Sequence, residues 1–272
     1  MHRLESAGLV AYGFDSLPGE RVDAIASTRT GGVSVEPYAS LNLGLRVDDD
    51  APLVMQNRKR FFTAFELDLS RSVWCRQVHA DTVAVVAADD LGRGAYDEQD
   101  IITDTDALVT DLVDVPLVVT LADCVPVVIY DSDHHAVGLA HAGWGGTVAR
   151  ISSKTVSVMR DRYGTDPGDV AVAIGPSISP DRYEVGREVV DKAREAYGEG
   201  TADAFLTARG TEKARFDLWE ANVRDLVSAG VRREQIEVSQ ISTIDDLDQF
   251  YSYRAERVTG RTVVAVRLLS PA

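Results

Sequence analysis

One stretch constrains the fold more than any other. Val115–Gly146, VPLVVTLADCVPVVIYDSDHHAVGLAHAGWGG, is the most apolar part of the chain. Val, Ile and Leu dominate three runs within it, Leu117–Leu121, Val125–Tyr130 and Ala136–Ala140. Each run has strand length and falls short of a helix. Asp-Ser-Asp-His-His separates the last two and predicts a hairpin turn. The same stretch carries Cys124, preceded by Asp123, and His141, followed by Gly-Trp-Gly-Gly. A thiol and an imidazole at the ends of buried strands mark a candidate site, because rigid elements hold reactive groups more tightly than loops do.

Bulk properties narrow the class. A chain of 272 residues can bury a sizeable core. Its net charge of −15 argues against nucleic acid, whose phosphates need a basic face. A phosphate-bearing small substrate stays open, since a local arginine cluster can oppose the global field. Two Cys provide no disulfide framework, and a thiol beside His then points to metal binding or catalysis. The first residues lack an apolar core, and no apolar run approaches ~20 residues, so neither signal peptide nor membrane span is expected. The expected location is the cytoplasm, and the sequence leaves the oligomeric state open.

Along the chain, the start through Val22–Thr28 predicts one or two strands around a Pro18-Gly19 turn. Arg29–Gly44, rich in Gly, Pro, Ser and Asn, predicts a loop, and loops of this length in compact domains tend to be functional. Ala51–Phe65 has helical spacing at Leu53, Val54, Asn57 and Phe61, behind the acidic Asp48–Asp50. Val73–Ala87 predicts strand, turn near Ala80-Asp81, and strand, with His79 at the junction; Asp89–Asp100 predicts an acidic surface loop. Thr147–Tyr163 predicts an amphipathic helix closed by Gly164. Val170–Ile174, Ile236–Ile241 and Arg261–Leu268 predict strands; Glu188–Tyr197 and Asp217–Ala229 predict helices. Irregular alternation of hairpins and crossovers predicts an α+β fold: a single domain, residues 1–272, of mixed β-sheets packed with helices.

Among five His, His2 is terminal, and His134 and His135 fall in the predicted turn. His79 and His141 each end an apolar strand, and with Cys124 they make a set of two imidazoles and one thiolate. That set suits Zn2+ with a fourth position open. Period-two alternation puts Cys75, Gln77 and His79 on one face, with Cys75 as packing and Gln77 lining the site.

Several separate pieces, QVH (Gln77–His79), DALVT (Asp106–Thr110), LADCVPVV (Leu121–Val128) and HAGWGG (His141–Gly146), resemble one family. It is the family long called laccase-domain or multicopper polyphenol oxidase proteins. The likeness continues, in order, through RTGGVS and SLNLG, QNR (Gln56–Arg58), GPSI with YEVG, DLW with AN, and SYR with a following GR. The resemblance implies purine nucleoside phosphorylase activity, with adenosine deaminase and methylthioadenosine phosphorylase side activities, and in some members peptidoglycan editing. It implies that His79, Cys124 and His141 ligate the metal, and a fold of mixed sheets. Gly145, Ser242 and Ala255 stand where the family usually has Arg, Cys and Arg.

Copper oxidation of phenols fits poorly. Five His and no His-x-His pair cannot furnish a blue copper and a trinuclear cluster, and no Met lies near the core stretch. Phosphorolysis of an adenosine- or inosine-type nucleoside fits better, with nucleoside and phosphate as small-molecule partners. Arg29 and Arg58 are candidates for anion contact, and Asn42 and Gln77 for hydrogen bonds to sugar or base. A Cys–His or zinc amidase acting in peptidoglycan editing is a second reading, with Cys124 as nucleophile and His141 as base. A non-catalytic binding protein is a third. With cations missing at 145 and 255, weaker phosphate binding is expected, and Gly145→Arg is expected to tighten it if the side chain fits.

Overall fold

The computed structural model describes residues 1–209 and 212–270. The first half runs β1 (His2–Ser6), β2 (Leu9–Gly13), β3 (Val22–Ser27), α1 (Ala51–Ala64), β4 (Val73–Trp74), β5 (Val83–Val85), β6 (Ala107–Thr110), β7 (Leu117–Leu121), β8 (Val125–Asp131) and β9 (Ala136–Ala142). Then come α2 (Trp144–Val148), α3 (Ile151–Tyr163), β10 (Val170–Ile174), β11 (Glu184–Gly186), α4 (Arg187–Tyr197) and α5 (Glu199–Ala202). The chain closes with β12 (Leu206–Arg209), β13 (Lys213–Phe216), α6 (Leu218–Ser228), β14 (Ile236–Val238), α7 (Tyr253–Glu256) and β15 (Thr262–Leu268). None of the described helices is long and apolar enough to cross a membrane.

Two six-stranded sheets carry the architecture, ordered β1-β2-β3-β15-β7-β4 and β14-β10-β8-β9-β6-β5. Both are mixed: β4 runs parallel to β7, β5 to β6 and β14 to β10, and the remaining pairs are antiparallel. This is the α+β class that the sequence predicts. Alternation of side chains then builds layers. Leu117 and Val119 of β7 and Val264 and Val266 of β15 meet Val128, Tyr130, Val137 and Leu139 of β8 and β9 between the sheets. The other parity of β8, Val125, Val127 and Ile129, joins a core with Ile151, Val156 and Met159 of α3 and Leu226 of α6. Behind the first sheet, Val118, Val263 and Ala265 pack with Phe61 and Phe62 of α1. Each such buried side chain contributes about 1.5–3 kcal/mol, so the central stretch is covered on both faces and anchors the molecule. Gly138 lets α3 cross β9 closely, since a Cβ there would sit 2.9 Å from both Thr155 and Met159.

Local readings differ from the structure in four places. The N-terminal segment makes three strands instead of one or two. Val73–Ala87 does give two strands with a bend between them, but both are short, β4 and β5 join different sheets, and residues 75–82 are irregular. The helix expected over Thr147–Tyr163 is two helices, broken at Arg150, whose φ is 63°. Arg150 turns there to stack on Tyr197, 4.4 Å from its ring centre, and to bond Asp225 and the Ala196 carbonyl. Finally, β11, β13 and β12 form a third antiparallel sheet that no period in the sequence announced.

The loop over residues 29–44 is held by polar residues of α1. Asn57 accepts from the Val33 amide and donates to Ser34 and to the carbonyls of Ser40 and Asn42. Arg58 is 3% exposed; it donates to the carbonyls of Leu43, Gly94 and Ala95, and stacks 3.6 Å over Trp74. Arg58→Ala would leave those carbonyls without partners. It is expected to cost about 3 kcal/mol, a fall in Tm of roughly 5–10 °C in thermal unfolding.

Candidate active site

His141 ends β9, and Cys124 sits at the entry to β8, paired in register so that Pro126 faces His141 across the hairpin. His79 arrives from the irregular segment after β4. A buried carboxylate brings it there. Asp106, fully buried just before β6, accepts from the backbone amides of Val78 (3.1 Å), His79 (3.0 Å) and Ala80 (2.9 Å). Three consecutive amides turned onto one carboxylate cannot pair with a strand. That is why β4 stops short of His79 and why His79 adopts the left-handed φ of 61°.

The same carboxylate takes His141 Nδ1 at 2.9 Å. An ionised carboxylate only accepts, so Nδ1 carries a hydrogen, and Nε2 is the ring nitrogen that could ligate a metal once its own proton is displaced. Donor atoms of His79, Cys124 and His141 all lie within 4.8 Å of one another, with Cys124 Sγ 3.8 Å from His79 Nε2. His79 and His141 meet edge to face, ring centres 4.9 Å apart. His141 is buried, Cys124 half-buried and His79 exposed, so the set is open on one side. Gly143 makes room for it, because a Cβ there would sit 2.8 Å from His79 Cδ2 and 2.9 Å from Cys124 Sγ.

Electrostatics favour a thiolate at Cys124. Burial alone would push the Cys124 thiol up, but His141 and then His79 outweigh it and hold it at about 6. Burial would lower His141, and the Cys124 thiolate and Asp106 outweigh it in the raising direction. Asp106, which burial would raise, is held below the ordinary range by His141 and the Ala80 and Val78 amides. Cys75, buried but for an edge on the larger cleft, is pushed well up by that burial and stays a neutral thiol.

Two clefts meet at His79 and Cys124. The smaller, about 240 Å3, is lined by Trp144, Ile178, Tyr183, Leu218 and Tyr253, with Asp123, Arg254 and Arg257. The larger, about 450 Å3, is lined by Cys75, Gln77, Thr120 and His141, with Arg46 and Arg261. His79, Cys124 and Tyr253 border both. Asp123, at a left-handed φ of 89°, ties the wall to β8 by accepting from Thr243 Oγ1 (2.8 Å) and the Arg254 amide (2.6 Å). Burial raises its pKa above the usual carboxylate range, against those hydrogen bonds and the Arg254 charge.

The sequence candidates are thus divided. His79, Cys124 and His141 come together, and Gln77 and Cys75 line the larger cleft beside them. Gln77 is already engaged at both ends by Thr120. Arg29, Asn42 and Arg58 line neither cleft. Arg29 is tied to the carbonyls of Ala39 and Leu247 and to Glu256. Asn42 accepts from the Arg261 amide at 2.8 Å and donates to Asp49, so it shapes the wall from behind. Asp106, Asp123, Arg46, Arg254, Arg257 and Arg261 carry the site without having been singled out. Asp106, Asp123, Arg254 and Arg261 lay inside the DALVT, ADC, SYR and GR motifs, whereas Arg46 and Arg257 fall in none of them. Ser242 bonds Asp245 and Ala255 is exposed, and neither lines a cleft.

The sequence profile of the family described as multi-copper polyphenol oxidoreductase laccase matches residues 23–269. Purine nucleoside phosphorylase YlmD of Bacillus subtilis (strain 168) is 38% identical over 238 residues, 86% of this chain and 84% of the relative. Adenosine deaminase RL5, from an unknown prokaryotic organism, is 37% identical over 250 residues, 91% of this chain and 94% of the relative. The crystal structure of YlmD from Geobacillus stearothermophilus superposes with a TM-score of 0.92 at 35% identity, covering 98% of each chain.

Two outcomes are expected. Asp106→Asn should lower metal affinity about 10- to 100-fold in a chelator competition while leaving the circular dichroism spectrum native. Gly145→Arg does not fit as the sequence suggested, since its Cβ would lie 2.5 Å from the His79 carbonyl oxygen. It should therefore displace His79 and reduce the metal retained on dialysis, with no improvement in phosphate KM.

Proposed function

This chain belongs to the multi-copper polyphenol oxidoreductase laccase family, and from that premise we propose that it is a zinc-dependent purine nucleoside phosphorylase. The observation that carries this reading is a His2Cys donor set placed between an aromatic cleft and an arginine-bearing one. Tetrahedral zinc, with bonds of about 2.0–2.3 Å, spaces its ligands roughly 3.5 Å apart; here Cys124 Sγ and His79 Nε2 are 3.8 Å apart and all three donors lie within 4.8 Å. No Met lines either cleft, and Met159 packs on the far side of β9, so the axial ligand of a blue copper site is lacking.

The residues divide the work. Trp144, Tyr183 and Tyr253 offer aromatic surface to a purine. Arg46 and Arg261 oppose the charge of inorganic phosphate in the other cleft. Holding both reactants against one point removes about 7–11 kcal/mol of entropic barrier at best. Zn2+, when bound by His79, Cys124 and His141, supplies a Lewis acid that orients and polarises an oxygen there. Asp106 fixes the tautomer and direction of His141 and the position of His79. Deamination of adenosine is proposed as a side activity, in line with the name of the RL5 relative.

The low thiol pKa also suits a nucleophilic Cys124 acting with His141 in amide hydrolysis. Metal content decides between them, because a zinc-bound thiolate is masked. Protein purified without added metal should hold about one zinc per chain, and Cys124→Ala should lose it together with turnover. Inosine or adenosine should yield free base and a ribose phosphate at a rate that saturates with phosphate. A rate indifferent to phosphate would reject phosphorolysis.

A further inference from the structure

Residues 254–261 place three arginines on the two clefts, in a chain whose net charge is −15. Among the described residues none of the three has a carboxylate within salt-bridge reach. Arg254 Nη1 donates to the Glu184 carbonyl and the guanidinium stacks on Tyr183 at 4.7 Å. Arg261 donates to the carbonyls of Thr259 and Gly260. Arg257 is exposed, 5.7 Å from the Tyr253 ring centre. The carboxylates nearest in the chain are engaged elsewhere. Glu256 turns to Arg29, the Ser252 amide and Thr259 Oγ1. Asp123, in the smaller cleft, spends its oxygens on Thr243 and the Arg254 amide.

Arg257 is also held at a conformational cost. It has φ 63° and ψ −54°, and the Val258 amide closes onto the Glu256 carbonyl at 2.7 Å around it. That is a γ-turn of the strained hand, rare for any residue with a Cβ. A long, exposed cation thus stands in a strained turn at the mouth of an aromatic cleft.

Inorganic phosphate accounts for only one anion, and Arg46 and Arg261 already oppose it across the donor set. We propose that the smaller cleft accepts a nucleoside bearing its own phosphate, a nucleoside monophosphate, with Arg254 and Arg257 holding that group beside the stacked base. The inference rests on the phosphorylase reading above. In the reaction an oxygen of inorganic phosphate bonds to C1′, and the C1′–N9 bond breaks with its electron pair leaving on the purine. The purine takes up a proton, and a ribose bisphosphate is the second product. No oxidant or reductant is needed.

Calorimetric titration of the zinc-loaded full chain with adenosine, 5′-AMP, 3′-AMP and inorganic phosphate tests the proposal without requiring turnover. At least one AMP isomer should bind tenfold or more tighter than adenosine, the size of one charge-assisted contact. In Arg257→Gln that preference should shrink about tenfold. Equal affinity for adenosine and both AMP isomers in the wild type would overturn the proposal. So would an Arg257→Gln variant that weakens inorganic phosphate while leaving the AMP preference intact, because all the arginines would then serve one phosphate site. A product assay separates the two readings. If AMP binds preferentially but no free base forms from AMP or adenosine with phosphate, phosphorolysis fails and the subsite stands.

Discussion

The arrangement of the site depends on one buried carboxylate. Asp106 receives three consecutive amides and one imidazole N–H, so its burial is fully compensated. An unpartnered carboxylate at that depth would cost several kcal/mol, and so would the amides it satisfies. Because both histidines hang on the same two oxygens, neither can move without the other. The donor set is fixed by an interaction that lies behind it.

A second carboxylate does the opposite work. Asp123 adjoins Cys124 and binds the segment that supplies Tyr253 and Arg254, more than a hundred residues later in the chain. Its partners are a hydroxyl and an amide, while Asp106 has an imidazole. This difference explains why burial wins at Asp123 and raises its pKa, but loses at Asp106. The two together close the site from opposite ends of the sequence.

Arg254 and Arg261 are positioned by backbone carbonyls and, for Arg254, an aromatic face, which fix a guanidinium without neutralising it. Charge is thereby kept available in a chain that is acidic overall. Asn42, 219 residues earlier in the chain, contributes by accepting from the Arg261 amide. The polar loop over residues 29–44 thus acts on the site as a support for its wall.

The sequence by itself determined the class of fold, the central hairpin of β8 and β9, and the His79, Cys124 and His141 set. These are legible because period-two alternation and apolar runs are local, and because thiols and imidazoles are few. Tertiary structure alone decided which polar residues are free to meet a ligand. Arg58 and Arg257 look alike in a sequence. One is consumed by three carbonyls and Trp74, and the other stands exposed at a cleft. Strand β4 stops short of His79 for the same reason: a carboxylate 27 residues away claims the His79 amide. Hydrogen-bond partners distant in sequence leave no periodic trace, so burial and satisfaction had to be read from the fold.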